Sequence, residues 1–189
     1  MNQRLLAIIS IAVLIVLVCG AVLYMRLRPS AQLSNASQPP AVGTAHLGAQ
    51  APQFTAATTA GLFDLSTIDK PVFLEVFATW CPHCQRETVT INKLYGEFSS
   101  QVSFIAIPGS DTAMDGTSPS SQNDVLKFVQ KFHVRYPIAA YDQSLTVANM
   151  YLQGGFPTVA IIRKNKMISY LNSGEITFAE LESEIKKAM

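Results

Sequence analysis

An apolar run, Pro71-Val72-Phe73-Leu74-Glu75-Val76-Phe77, ends just ahead of Trp80-Cys81-Pro82-His83-Cys84, and a helix-patterned segment follows. A continuous apolar run of this length reads as a strand buried on both faces, with Glu75 its one polar member. Two cysteines three apart at a helix start share one face, with β-carbons about 5–6 Å apart. A disulfide needs roughly 3.5–4.5 Å, so a slight tightening of the first turn lets the pair close. Such a pair can be oxidised and reduced without unfolding the chain. Thiol–disulfide exchange is the chemistry this arrangement points to.

The rest of the 189 residues place that chemistry in a compartment. Leu5 to Tyr24 is almost unbroken apolar sequence, broken only by Ser10, Cys19 and Gly20, and about 20 such residues span a bilayer as a helix. The run exceeds the core of a cleaved signal peptide, and bulky Val18 before Cys19 does not suit a lipoprotein cleavage box. An uncleaved anchor over residues 1–27 is therefore expected. Arg4 is balanced by Arg26 and Arg28, so charge bias does not set orientation. The short N-terminal tail and the redox motif favour a domain on the extracytoplasmic, periplasmic side of the cytoplasmic membrane. Residues 28–44, rich in Pro, Ser, Ala, Gln and Asn, read as a flexible tether, and residues 45–189 as the folded domain.

Net charge is +1, and removing Arg4, Arg26 and Arg28 leaves 11 basic against 13 acidic residues. No basic run with interleaved aromatics appears, so nucleic acid is not an expected partner. Of three cysteines, one lies in the apolar run and two form the motif. None remains for a structural disulfide, and the core must hold the fold.

Short strands flank the Ala60-Gly61 turn, and Val102–Ile107 reads as a second buried strand. Between them, residues 81–98 suit an amphipathic helix with Val89, Leu94 and Phe98 on its apolar side and Arg86, Glu87, Lys93 and Glu97 on its charged side. A polar loop, 110–121, leads to a helix near 122–133 with Val125, Leu126, Phe128, Val129 and Phe132 inward. A short strand at 138–140, a helix over 145–152 and a hairpin of 158–162 with 166–171 follow. Thr177 with Glu180 makes a capping-box start for the last helix. Alternating strands and helices ending in a hairpin and a helix indicate an α/β layer structure.

Trp-Cys-x-x-Cys after a strand, Gly155-Phe156-Pro157-Thr158 before the hairpin, and the closing helix resemble the thioredoxin superfamily. Gly48-Ala49-Gln50-Ala51-Pro52-Gln53-Phe54, together with the extra helix near 122–133, resembles its membrane-tethered TlpA/ResA branch. The resemblance implies a thioredoxin-like fold with a central mixed sheet flanked by helices. It also implies a redox-active Cys81–Cys84 disulfide with no further cofactor and no metal, and protein thiols or disulfides as substrates. A membrane electron donor or acceptor would be the redox partner.

At a helix N-terminus Cys81 has the thiolate-stabilising position expected of the attacking sulfur, and Cys84, one turn on, that of the resolving one. Pro82 and His83 would tune the poise, since a cation near Cys81 favours the reduced form. That dipeptide resembles the DsbA oxidases, whereas the tethered branch usually reduces. The resemblance makes Glu75 a buried proton carrier, Phe156-Pro157 a cis-proline edge that receives a substrate strand with Thr158 beside it, and Trp80 a cover for the site. The overall expectation leans to a reductase of the cytochrome c maturation kind, with a DsbA-like oxidase as the alternative. Rival chemistries are a peroxiredoxin-like peroxidase, whose cysteine context Trp80-Cys81-Pro82-His83-Cys84 does not match, and a copper carrier using Cys81, Cys84 and His133. A zinc site would need two ligands beyond the cysteines.

Overall fold

The computed structural model describes residues 43–189. The expected anchor, and all but the end of the tether, lie outside them. Among the described residues no helix is long and apolar enough to cross a membrane.

Ten elements follow in chain order: β1 (Thr55–Thr58), β2 (Gly61–Asp64), β3 (Val72–Phe77), α1 (Pro82–Phe98), β4 (Ser103–Pro108), α2 (Gln122–Lys131), α3 (Thr146–Tyr151), β5 (Thr158–Ile162), β6 (Ile168–Ser173) and α4 (Phe178–Ala188). The main sheet runs β4-β3-β5-β6. β3 and β4 are parallel, as their crossover through α1 requires, whereas β5 pairs antiparallel with both neighbours. The fold is thioredoxin-like α/β with a mixed sheet. Residues 138–139 form only single bridges, Ile138 to Ala106 and Ala139 to Thr58, and so stitch the β1–β2 hairpin to the β4 edge.

Strand alternation divides the core. Val72, Leu74 and Val76 pack with Phe54, Leu65, Ile105, Ile107 and Tyr151. Phe73 and Phe77 pack on the other side with Ile91, Leu94, Phe128, Leu181 and Ile185 from the long helices. Glu75 shares the register of Phe73 and Phe77, so its carboxyl enters the helix-covered face.

Helix boundaries follow from caps. Thr177 accepts from the Glu180 N–H, and Ser121 accepts from the Asp124 N–H. α1 starts at Pro82, whose missing N–H is harmless at the first helical position, and Cys81 becomes its N-cap. α2 stops two residues earlier than expected, with His133 in a left-handed conformation at φ 52°.

Three side chains depart from the sequence reading. The buried stripe of α1 is Cys84, Glu87, Thr88, Ile91, Leu94 and Phe98, a helical period that leaves Val89 73% exposed and takes Glu87 from the charged side into the core. In α2 the stripe is Asp124, Val125 and Phe128, so Leu126, a further 100° round, is 43% exposed.

Candidate active site

The end of β3 delivers the chain into a tight turn, with the Cys81 N–H donating to the Ala78 carbonyl at 3.1 Å. Cys81 then caps α1 without a side-chain cap of its own, so its sulfur lies at the end where backbone N–H groups are unpaired. Both thiols are free, Cys84 fully buried and Cys81 only 5% exposed.

The two sulfurs have opposite acidities. Cys81 is brought down to about 6, chiefly by the hydrogen bond with the Cys84 thiol, against the opposing effect of burial. The backbone N–H groups of Cys84 and His83 contribute next, and the His83 charge least among these. Burial pushes the Cys84 thiol far up, and its hydrogen bond to Cys81 and the nearby Glu75 add to the shift. One sulfur is an anion near neutral pH, while the other holds its proton.

Glu75 is 1% exposed. Burial raises its carboxyl well above the ordinary range, and the charge of Glu87 adds to this. Its partner is the Tyr136 hydroxyl, which donates to Oε2 at 3.3 Å. Glu87, one turn beyond Cys84, is also 1% exposed, and neither of its carboxyl oxygens has a hydrogen-bond partner. The Ile176 amide is near enough to offset part of the cost, though short of bonding geometry, and burial lifts the group to about 8. Two protonatable acids therefore stand behind the cysteines.

The opposite wall is the Phe156–Pro157 bend, whose peptide bond is cis as expected. The Phe156 carbonyl accepts from the Cys81 thiol at 3.6 Å. Trp80, 38% exposed, meets the Phe156 ring edge-on at 6.0 Å and donates from Nε1 to Ser110 Oγ at 2.8 Å. Thr158, expected at the substrate edge, is fully buried. Its hydroxyl donates to the Gly155 carbonyl and accepts from the Gln153 N–H, so it fastens the bend from within rather than facing a substrate.

His83 points outward. Its Nδ1 lies 2.9 Å from Glu175 Oε2 and 2.7 Å from Arg86 Nη2, and Arg86 also pairs with Glu175 at 2.7 Å. Arg86 and then His83 hold the Glu175 carboxyl down at about 2. His133 is distant in role: its carbonyl accepts from the Asn92 amide. Among the described residues no group of three or more His, Cys, Asp or Glu side chains gathers in ligand geometry.

The structure thus brings together Trp80, Cys81, Pro82, Cys84, Glu75, Phe156 and Pro157, and adds Glu87, Tyr136, Arg86 and Glu175. Glu87 had a signal in the sequence, being three residues past Cys84 and so on the same helix face. Tyr136 had none, because it is 61 residues from Glu75.

The Redoxin family model matches residues 46–186. The thiol-disulfide oxidoreductase ResA of Bacillus anthracis is 30% identical over 146 residues, covering 75% of this chain and 78% of that protein. Among solved structures, a thioredoxin-family thiol:disulfide interchange protein from Chlorobium tepidum TLS superposes with a TM-score of 0.58 at 23% identity, over 76% of this chain and 98% of that one. StoA from Bacillus subtilis superposes at 0.57 with 17% identity, over 70% and 96%.

Proposed function

We infer, because the chain belongs to the Redoxin family and is a thiol-disulfide oxidoreductase, that it is anchored in the cytoplasmic membrane by residues 1–27 and reduces protein disulfides on the extracytoplasmic side. The observation that carries the site assignment is the split between a Cys81 thiol at about 6 and a buried, proton-holding Cys84. In the proposed cycle the Cys81 thiolate attacks one sulfur of a substrate disulfide. The substrate S–S bond breaks, a Cys81–substrate disulfide forms, and the first substrate thiolate leaves and takes up a proton. Cys84 then attacks Cys81 Sγ as its proton passes to the buried Glu75 carboxyl, which releases the proton it already holds to the departing substrate sulfur. The mixed disulfide breaks, the second substrate thiol departs, and the Cys81–Cys84 disulfide carries the two oxidising equivalents. A membrane dithiol partner returns two electrons and two protons.

Phe156 and Pro157 supply the substrate edge in this reading, with Trp80 as its apolar flank. The Phe156 carbonyl lies 3.6 Å from Cys81 Sγ, and the Phe156 ring is set against Trp80. The cycle predicts that Cys81→Ser abolishes exchange with a dithiol or disulfide substrate, and that Cys84→Ala accumulates the mixed disulfide as a covalent adduct on a non-reducing gel. Turnover by the Cys81→Ser protein would refute the assignment.

One observation favours the opposite direction. A nucleophile this acidic stabilises the reduced form and raises the potential, as in a DsbA-like oxidase. Equilibration with a glutathione buffer separates the two, a strongly negative potential marking the reductase and a high one the oxidase.

A further inference from the structure

We propose that Asp124 of α2 and Ser110 of the preceding loop are positioning residues that brace the Thr79-Trp80 dipeptide, and through it fix Cys81 at the N-terminus of α1. The proposal rests on the exchange reading of Cys81 and deepens it.

The N-cap is the weak point of this site. Cys81 has no side-chain cap bond, yet its acidity depends on keeping its sulfur aimed at the Cys84 thiol and at two backbone N–H groups. A shift of the turn before α1 would spoil all three contacts together. Thr79 sits in that turn, 3% exposed, and is gripped from both ends. Its hydroxyl donates to Asp124 Oδ2 at 2.6 Å across 45 residues of chain, and its carbonyl accepts from the Gln85 amide of α1 at 2.9 Å. The next residue is held as well, because the Trp80 indole donates to Ser110 Oγ.

Asp124 is itself fixed. Its Oδ1 accepts from the Met114 N–H at 3.0 Å, its Oδ2 also lies 3.5 Å from the Ser120 hydroxyl, and its own N–H is capped by Ser121. A carboxylate 8% exposed is a poor choice for stability alone, since an apolar residue would fill the stripe of α2 at lower cost. Its two oxygens are spent tying the 110–121 loop to Thr79. Ser110 Oγ likewise accepts from the Thr112 N–H at 3.1 Å, so the loop holds both arms of the brace. The 110–131 segment therefore acts on the chemistry without touching the sulfurs.

The test uses the thiolate as its readout. Thr79→Val keeps the shape and removes the hydroxyl, whereas Thr79→Ser keeps it. Alkylation of Cys81 by iodoacetamide is followed from pH 4 to 9 with wild type alongside. Thr79→Val is expected to move the midpoint upward and slow alkylation at pH 6 by about threefold to tenfold, one decade of rate corresponding to one pH unit of thiol acidity. Thr79→Ser is expected to restore the wild-type profile, which a loss of stability alone would not predict. Ser110→Ala carries the test at a half-buried position where folding is not at risk. It is expected to red-shift the emission of the single tryptophan and to slow alkylation at pH 6 by a smaller factor. An unchanged midpoint in Thr79→Val, or unchanged alkylation and emission in Ser110→Ala, overturns the brace while leaving exchange intact. A wild-type midpoint near that of a free thiol would instead sink the exchange reading, and the brace with it.

Discussion

On the face of the sheet that carries Val72, Leu74 and Val76, the buried side chains carry no ionisable carboxyl or thiol. The packing is apolar apart from Thr158, whose hydroxyl bonds to the Gly155 carbonyl and the Gln153 N–H, and Tyr151, whose phenol donates to the Pro52 carbonyl at 2.5 Å. On the face that carries Phe73, Glu75 and Phe77, the helices α1 and α2 add Cys84, Glu87, Thr88 and Asp124 to an otherwise apolar packing. The same six-residue strand supplies both faces, so alternation alone separates a side that stabilises from a side that reacts. The reactive side lowers stability. Glu87 has no bonding partner for either carboxyl oxygen, and such a group is tolerated only by staying protonated. The quiet side must supply the difference.

Breaking that comparison from the quiet side gives the largest effect on stability. Leu74 is fully buried, and Leu74→Ala should lower the unfolding free energy by about 2–5 kcal/mol. The pH midpoint of Cys81 alkylation should stay in place, because Leu74 faces away from α1. Denaturant titration and alkylation together check this, and a shifted midpoint would show that the two faces are coupled.

From the reactive side the sign reverses. Glu87 titrates at about 8 in the folded chain, against an ordinary value of 4.5. Between those values the folded state keeps a proton that the unfolded state has released, so stability is full below about pH 4.5 and falls as pH rises through 8. Glu87→Gln removes the ionisation. It should stabilise the protein by an amount of the order of a few kcal/mol at pH 9, with little change at pH 4, and flatten the pH dependence in unfolding curves. Resolution of the mixed disulfide should slow only above about pH 8, where the wild-type Glu87 is ionised and able to take the Cys84 proton. A stability gain equal at both pH values would mean that Glu87 is not the titrating group.

This division also explains what could be read in advance. The strand–Cys-x-x-Cys–helix order, the Thr177 N-cap and the Phe156-Pro157 bend are local patterns, and each stands where its local chemistry puts it, although the Glu180 carboxyl accepts from the Tyr170 hydroxyl rather than closing a capping box. Alternation along Val72–Phe77 held the answer for Glu75, though the choice of face needed the helices packed in place. Glu87 was misplaced because a carboxylate within Arg86-Glu87 reads as surface, and only the stripe set by Cys84, Ile91 and Leu94 overrides that. Tyr136, Asp124 and Glu175 act across 45 to 92 residues of chain, where no periodicity reaches. Thr158 looked like part of a substrate motif, but its hydroxyl is consumed inside its own bend.

His83 gives the smallest expected effect and sharpens the comparison furthest, because it lies outside both faces. Its side chain is 57% exposed and shares Glu175 with Arg86, and its charge is the least of the influences named on Cys81. Exposed charges are screened and act weakly. Removing this side chain withdraws its favourable charge interaction from the thiolate, so His83→Ala should make the Cys81 thiol less acidic and the disulfide less oxidising. Against a glutathione buffer the change should stay under about tenfold in the equilibrium constant, roughly 30 mV for a two-electron couple. The effect should shrink further when salt is raised from about 0.01 to 0.5 M, as the screening length falls. A drop of a hundredfold or more would mean that the dipeptide between the cysteines, and not the buried face beneath them, sets the poise. The Pro82-His83 resemblance would then outweigh the architecture in deciding which way electrons flow.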